Sequence, residues 1–172
     1  PTQYGSTVAI GNVVVSPSEF MPRLFAENGR LLDSQGRITL DTPEALRALE
    51  NYRETYSYSD RTIYDFWKNA LEGFADGTAA MTVVFINYAS HILNSQMSRI
   101  AGKLGFAPVP GGKPLLGGGV IGIAQSCTCP AAACKFLEWL YADLVAPVFT
   151  MLGGLSPCRS AYSNRDISEQ YP

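Results

Sequence analysis

The chain has 172 residues, 47% of them hydrophobic and 16% charged, and a formal net charge of −2. With a pI near 5.4 and mean hydropathy of +0.04, it is long enough for one domain with a real core and too short for two large ones. The balance offers no electrostatic case for nucleic acid or an anionic membrane, and no run of about eighteen apolar residues is present to span a bilayer.

The opening "PTQYGSTVAIGNVVV" has no starting Met and no basic region ahead of an apolar one, so any signal peptide is removed or lies outside the chain. Together with the abrupt end at "SEQYP", this points to a segment of a longer protein. Thr7 to Val15 reads as an apolar segment of strand propensity, interrupted by Gly11 and Asn12. "SPSEFMPRLFAENG" places Glu19, Phe20, Leu24 and Phe25 on a short helix that Asn28-Gly29 stops. "RLLDSQGRITL" is hairpin-like around Asp33 to Gly36.

The next helix has the clearest start. Thr42 is its N-cap, Pro43 its first position, and Glu44 sits by the positive end of the dipole. Ala45, Leu49, Tyr52 and Tyr56 then form a packing face, leaving Arg47, Glu50 and Glu54 wet. In "TIYDFWKNALEGFADG", Ile63, Phe66, Trp67, Ala70, Leu71 and Phe74 make a helical stripe closed by Gly77. "TAAMTVVFI" is a continuous apolar run of strand length, which predicts a strand covered on both faces. Helical period returns in "NYASHILNSQMSRIAG" through Ala89, Ile92, Leu93, Met97 and Ile100. "KLGFAPVP" reads as a short strand, "CPAAACKFLEWLYADL" as a helix opened by Pro130, and Val145 to Leu152 as another, ended by Gly153-Gly154. Helices alternate with strands, so the class is α/β with a largely parallel or mixed sheet.

"KPLLGGGVIGIAQS" contains Gly117, Gly119 and Gly122 in the G-x-G-x-x-G spacing of dinucleotide-binding turns. Such glycines must follow a strand and open a helix, so that the helix N-terminus meets the pyrophosphate. Here a loop precedes them and the strand-like "VIGIAQ" follows, so no nucleotide is expected. Cys127, Cys129, Cys134 and Cys158 leave a zinc site, a disulfide and ordinary thiols open, although C-x-C-x4-C lacks paired knuckles and His91 is remote in sequence.

Catalytic patterns are scarce. His91 falls on a helix beside core position Ile92, and neither G-x-S-x-G nor H-E-x-x-H occurs. Paired carboxylates stay open on sequence alone, though most Asp and Glu fall on helix faces or in turns. No enzyme is expected, and no cofactor. Tyr4, Tyr88 and the Gly117–Gly119 loop stand at element boundaries. Ligands of open α/β sheets sit beyond strand carboxyl ends, where aromatic faces suit sugars; ordinary packing of these aromatics is the other reading.

Four stretches in order resemble the extracellular solute-binding proteins of family 1, the maltose-binding-protein-like receptors of ABC importers. They are "GRLLDSQGRITLDTPEALRALENYRE", "FADGTAAMTVVFINYASHI", "GKLGFAPVPGGKPLLGGGVIGIAQ" with "CPAAACKFLEWLYAD", and "GGLSPCRSAYSN". The resemblance covers nearly the whole chain. It implies a type II periplasmic-binding-protein-like lobe, its sheet flanked by helices, from a non-catalytic, extracytoplasmic receptor, periplasmic or a cell-surface lipoprotein. Such a receptor closes on a carbohydrate ligand and delivers it to membrane permease subunits.

By that map residues 1–116 are the second lobe of a bilobal protein lacking its N-terminal part. Residues 117–154 are a hinge crossing plus helices packing on the first lobe, and 155–172 return. The resemblance makes Tyr88 the sugar platform, with Asn87 offering its amide to a hydroxyl. Gly117, Gly118 and Gly119 lie at the crossing, where small residues let the backbone take φ > 0 or approach a ligand, and Arg159 touches ligand or clamps its turn. Tyr4 is a further ligand-side aromatic. "FINYAS" departs from the Trp-containing family form, and the cysteines have no family counterpart. If the first lobe is absent, the Phe136, Leu137, Leu140 helix loses its cover and self-association through it is expected. A carbohydrate-processing enzyme, marked by two carboxylates across a pocket, and a protein-interaction module, marked by a large apolar patch, are the alternatives.

Overall fold

The computed structural model describes residues 2–11, 14–62, 67–163 and 165. Its elements are β1 (Tyr4–Thr7), α1 (Val15–Ala26), α2 (Pro43–Ser57), α3 (Trp67–Ala75), β2 (Ala79–Thr82), a 3-10 turn (Ile86–Tyr88), α4 (Ala89–Leu93), α5 (Pro130–Leu140), α6 (Val145–Met151) and α7 (Arg159–Tyr162). No helix among the described residues is long and apolar enough to cross a membrane. The chain divides into two compact units, one of Pro1–Phe85 with His91–Gly117, the other of Ile86–Ser90 with Gly118–Pro172.

In the first unit β1 and β2 pair in parallel, with Tyr4 opposite Ala79, Ser6 opposite Met81 and Thr7 opposite Thr82. A parallel pair needs a long connection, and here α1, α2 and α3 supply it. Ala9, Val15 and Ala70 form one small core with Trp67 against it; Leu24, Ala45 and Ala48 form another with Phe20.

Local signals are realised as chemistry requires. Thr42 Oγ1 accepts from the Ala45 amide at 3.3 Å, satisfying a donor that the first turn of α2 leaves unpaired. Asn28 stops α1 in the left-handed region, at φ 62°, and the Gly29 amide returns to the Leu24 carbonyl at 2.9 Å. The Asp33–Gly36 turn closes beside an antiparallel bridge between Leu32 and Ile38. Asp33 accepts from the Gln35 and Arg37 amides and pairs with the Arg37 side chain; the Arg37 hydrogen bonds hold its carboxyl below the usual range.

Other expectations fail for identifiable reasons. The segment read as a strand over Thr7 to Val15 contributes only Thr7 to β1; Val8 and Ala9 are buried beyond the strand's end, and Asn12 and Val13 lie outside the described residues. The packing face of α2 runs through Ala45, Ala48 and Tyr52, while Leu49 is exposed. The small Ala48 lets α2 approach Leu24, a contact that side-chain size conceals. Ile63 and Phe66 of the predicted α3 stripe lie outside the described residues. β2 ends at Thr82 with Met81 exposed, so it is not covered on both faces.

The helix predicted to run through Ile100 stops at Leu93. Asn94 Oδ1 accepts from the Gln96 amide at 2.8 Å, and its carbonyl accepts from Met97 and Ser98, a local turn that competes with the helix. Neither "KLGFAPVP" nor "VIGIAQ" forms a strand. Both run without a ladder partner among the described residues; Leu116 is 95% and Val120 98% exposed.

In the second unit α5 begins at Pro130 as expected and α6 ends against Gly153, whose φ is 90°. Ala146, Pro147, Ser156 and Ala161 are buried between α6 and α7, and the Tyr162 hydroxyl donates to the Ser156 carbonyl at 2.8 Å. No residue of α5 is fully buried.

Removing the α2 cap should have a local cost. Thr42→Ala is expected to destabilise the chain by about 1 kcal/mol, and Thr42→Ser to restore most of it, in urea unfolding followed by far-UV circular dichroism.

Candidate functional site

Because β1 and β2 are parallel, both carboxyl ends open on one side of the sheet, and in open α/β folds that side receives ligands. Thr7 and Thr82 mark this edge, their hydroxyls 2.7 Å apart.

Immediately beyond β1, the Ala9 peptide is gripped from both sides. Its amide donates to Glu19 Oε1 of α1 at 3.2 Å, and its carbonyl accepts from the Tyr52 hydroxyl of α2 at 3.1 Å. Arg23 pairs with Glu19 Oε2 at 3.0 Å and lies over the Tyr52 ring, 5.0 Å from its centroid. Arg23 and Glu19 keep only 15% and 7% of their side-chain exposure. Burial pushes the Glu19 carboxyl above its ordinary range, and the Arg23 charge and the Ala9 amide offset only part of that rise. Burial likewise raises the Tyr52 phenol. The sequence reading placed Glu19 on a helix and missed this role. The signal was its i, i+4 spacing to Arg23, between apolar neighbours.

Beyond β2, Phe85 meets Trp67 edge to face, with ring centroids 5.4 Å apart and planes at 79°. A Cβ on Gly117 would lie 2.6 Å from Phe85 Cε1, so any other residue there requires that ring to shift. Gly117, Gly118, Gly119 and Gly122 do not adopt positive φ, and Gly118, Gly119 and Gly122 have open space where a Cβ would go. The need for glycine is thus real at Gly117 and comes from an aromatic ring rather than from backbone sign. The run follows a loop and leads into no helix before α5, so the strand-to-helix geometry of a dinucleotide turn is absent here.

In the second unit Asn87 and Tyr88 sit on the 3-10 turn; Asn87 is exposed and Tyr88 half-buried. Ser90 donates to the Asn87 carbonyl and packs against Gly153, where a Cβ would fall 2.7 Å from its oxygen. Arg159 opens α7 and is exposed. Tyr4 is the first residue of β1, the end away from the carboxyl edge, so the structure does not bring it to that edge.

Cys127, Cys129, Cys134 and Cys158 are free thiols. Cys158 Sγ faces the Tyr141 carbonyl at 3.7 Å, beside the C-terminal end of α5, whereas Cys129 caps the other end of that helix. Among the described residues no group of three or more His, Cys, Asp or Glu is placed to hold a metal ion. His91 is half-buried on α4, next to buried Ile92. An open surface cleft of about 660 Å³ runs along the later part of α2, lined by Glu50, Arg53, Glu54, Tyr56, Ser57 and Arg61. Charges of both signs alternate there, and Arg61 rests on the Tyr56 ring.

A family model described as "Bacterial extracellular solute-binding protein" matches residues 9–172. An ABC transporter periplasmic-binding protein of Escherichia coli (strain K12), YcjN, is 28% identical over 91 residues, which make up 53% of this chain and 20% of that protein. In structure, the chain is similar to an ABC transporter solute-binding protein from Agrobacterium radiobacter K84 in complex with ribitol. That likeness has a TM-score of 0.82 at 22% identity and covers 98% of this chain and 45% of the other. Maltose-bound MalE3 of T. maritima gives a TM-score of 0.84 at 24% identity, covering 99% and 46%. The chain therefore has the solute-binding-protein fold, and it spans less than half of the solved relatives and a fifth of the curated one.

The contrast between adjacent glycines is measurable. Gly117→Ala should displace the Phe85 ring and destabilise by about 1–3 kcal/mol, as overpacking does. Gly118→Ala should be neutral or slightly stabilising; thermal unfolding of the two variants checks both.

Proposed function

This chain belongs to the bacterial extracellular solute-binding proteins, and we propose that it forms part of a non-catalytic receptor that binds a sugar, oligosaccharide or polyol for an ABC importer. The observation that carries this reading is the family match from residue 9 to 172, joined to a fold shared with proteins solved with ribitol and with maltose. In the intact receptor, residues 1–116 make up most of the second lobe. Residues 117–154 are a crossing and helices that pack on the first lobe, and 155–172 return. The receptor works outside the cytoplasm, in the periplasm or anchored at the cell surface, and hands its ligand to permease subunits.

Tyr88 offers a face for the C–H surface of a sugar ring, and the exposed Asn87 amide can both donate to and accept from hydroxyls. Arg159, also exposed, supplies a charged donor. Gly117, Gly118 and Gly119 carry the chain out of the first unit. Binding shifts the receptor from open to closed by stabilising the conformation in which ligand touches both lobes. Tyr4, at the other end of its strand, is the weakest member of this set.

The outer faces of α5 and α6 bear on the parent. Phe136 and Trp139 stack with centroids 5.7 Å apart and remain exposed, as do Leu144, Val148 and Leu152. A patch of this composition is covered by other protein. In the intact receptor the first lobe covers it, and the isolated chain self-associates there. Sedimentation velocity should show concentration-dependent association of the chain that Phe136→Ser weakens; a clean monomer at high concentration contradicts it.

The function itself is tested by thermal unfolding of the intact receptor, and of this chain in parallel, with a panel of mono- and oligosaccharides and polyols that includes ribitol and maltose. A ligand bound only by the native state stabilises by RT ln(1 + [L]/Kd). A shift with one compound and none with its stereoisomers is the expected result, reduced in Tyr88→Ala. No shift across the panel contradicts the carbohydrate reading.

A further inference from the structure

We propose that Glu19 is a positioning residue for the ligand-facing edge of the sheet: with Arg23 and Tyr52 it clamps the Ala9 backbone, thereby setting the Ile10–Gly11 segment beyond β1. This inference rests on the reading that the intact receptor takes its ligand at the carboxyl edge.

The geometry is specific. β1 ends at Thr7, and among the described residues the chain then has no ladder partner to hold it at Ala9. Both polar groups that flank the Ala9 position are instead taken by side chains from two different helices, Glu19 of α1 on the amide and Tyr52 of α2 on the carbonyl. Ala9 itself is buried against Val15 and Ala70. Two residues later Gly11 adopts φ 110°, a conformation that few side chains permit, and its amide donates to Ser16 Oγ. The path of the segment is therefore fixed by α1 and α2 rather than by the sheet.

A carboxylate is an unusual choice for this task. The groups that face it are Arg23 from its own helix, Tyr52 from α2 and the Ala9 amide; Tyr56, one turn along α2, acts on the Tyr52 phenol, which also bonds Ser16. Arg23 spends one nitrogen on Glu19 and bonds the Glu19 carbonyl, yet its buried Nε finds no partner among the described residues. The ion pair is thus incompletely compensated, and burial remains the larger influence on the carboxyl.

The sign follows from linkage. In the clamped conformation Glu19 is buried and holds its proton more tightly than in water, and in the released conformation it is solvated and ordinary. The clamp is therefore most populated below the ordinary carboxylate pKa and loses ground as pH climbs through the raised value. A Gln at this position keeps an acceptor for the Ala9 amide and removes the titration.

The test is amide hydrogen exchange at Ala9, read residue by residue by NMR on the full chain without sugar, from about pH 4 to 8 and corrected for intrinsic rates. Wild-type protection is expected to fall with rising pH, Glu19→Gln to be flat, and Glu19→Ala to lose about tenfold, the change that one lost buried hydrogen bond brings. Tyr52→Phe, which removes only the carbonyl contact, should keep the pH dependence; it serves if Glu19→Ala fails to fold. Wild-type protection that is flat in pH, or that matches Glu19→Ala, overturns the proposal. As no sugar is present, this outcome is independent of the carbohydrate reading.

Discussion

Parallel strands carry their carboxyl ends to the same side, and in this chain one short pairing, four residues on each strand, fixes everything that lies beyond it. With Thr7 opposite Thr82, the segment entering α1 and the segment leaving β2 must emerge at the same edge. A slip of one residue in register would turn the buried Ala79 outward and the exposed Ala80 inward. So short a ladder has little stability of its own. The helices between the strands provide it, by burying Leu24, Ala45 and Ala48 on one side and Ala9, Val15 and Ala70 on another.

The polar interactions follow from that topology. Beyond a strand's last ladder bond the backbone still has amides and carbonyls to satisfy, and at Ala9 they are met by Glu19 and Tyr52. Beyond β2 the need is steric: Phe85, held edge-on by Trp67, occupies the space a side chain at position 117 would take. The same edge is thus shaped by a polar grip at one strand and an aromatic wedge at the other. Both belong to the first unit. Asn87 and Tyr88, which follow Phe85 in sequence by two and three residues, begin the portion proposed for ligand contact.

What could be read from sequence was local. Caps and stops at Thr42, Asn28-Gly29, Gly77, Pro130 and Gly153 depend on the nearest few residues, and the structure realises each one. Strands at "KLGFAPVP" and "VIGIAQ" depend on partners far along the chain, and propensity cannot supply a partner. On α2 the expected stripe holds at Ala45 and Tyr52 but not at Leu49, because the small Ala48, rather than a large side chain, makes the close contact with Leu24. Glu19 was missed because a charge on a helix usually marks a solvated face; its i, i+4 spacing to Arg23 hinted at a pair, and the fold shows that pair largely buried. The family could be read from the order of four segments, and the match from residue 9 to 172 shows it. The spacing of the glycine run is local, but the reason for glycine at 117, the Phe85 ring, lies 32 positions earlier in the chain.

The most direct measurement is a crystal structure of the intact receptor with the sugar or polyol that raises its melting point. The account predicts a ring or carbon chain laid on Tyr88 and a hydroxyl bonded to the Asn87 amide. Ligand bound instead in the charged cleft along α2, among Glu50, Arg53 and Arg61, with Tyr88 packed away from it, would contradict the account.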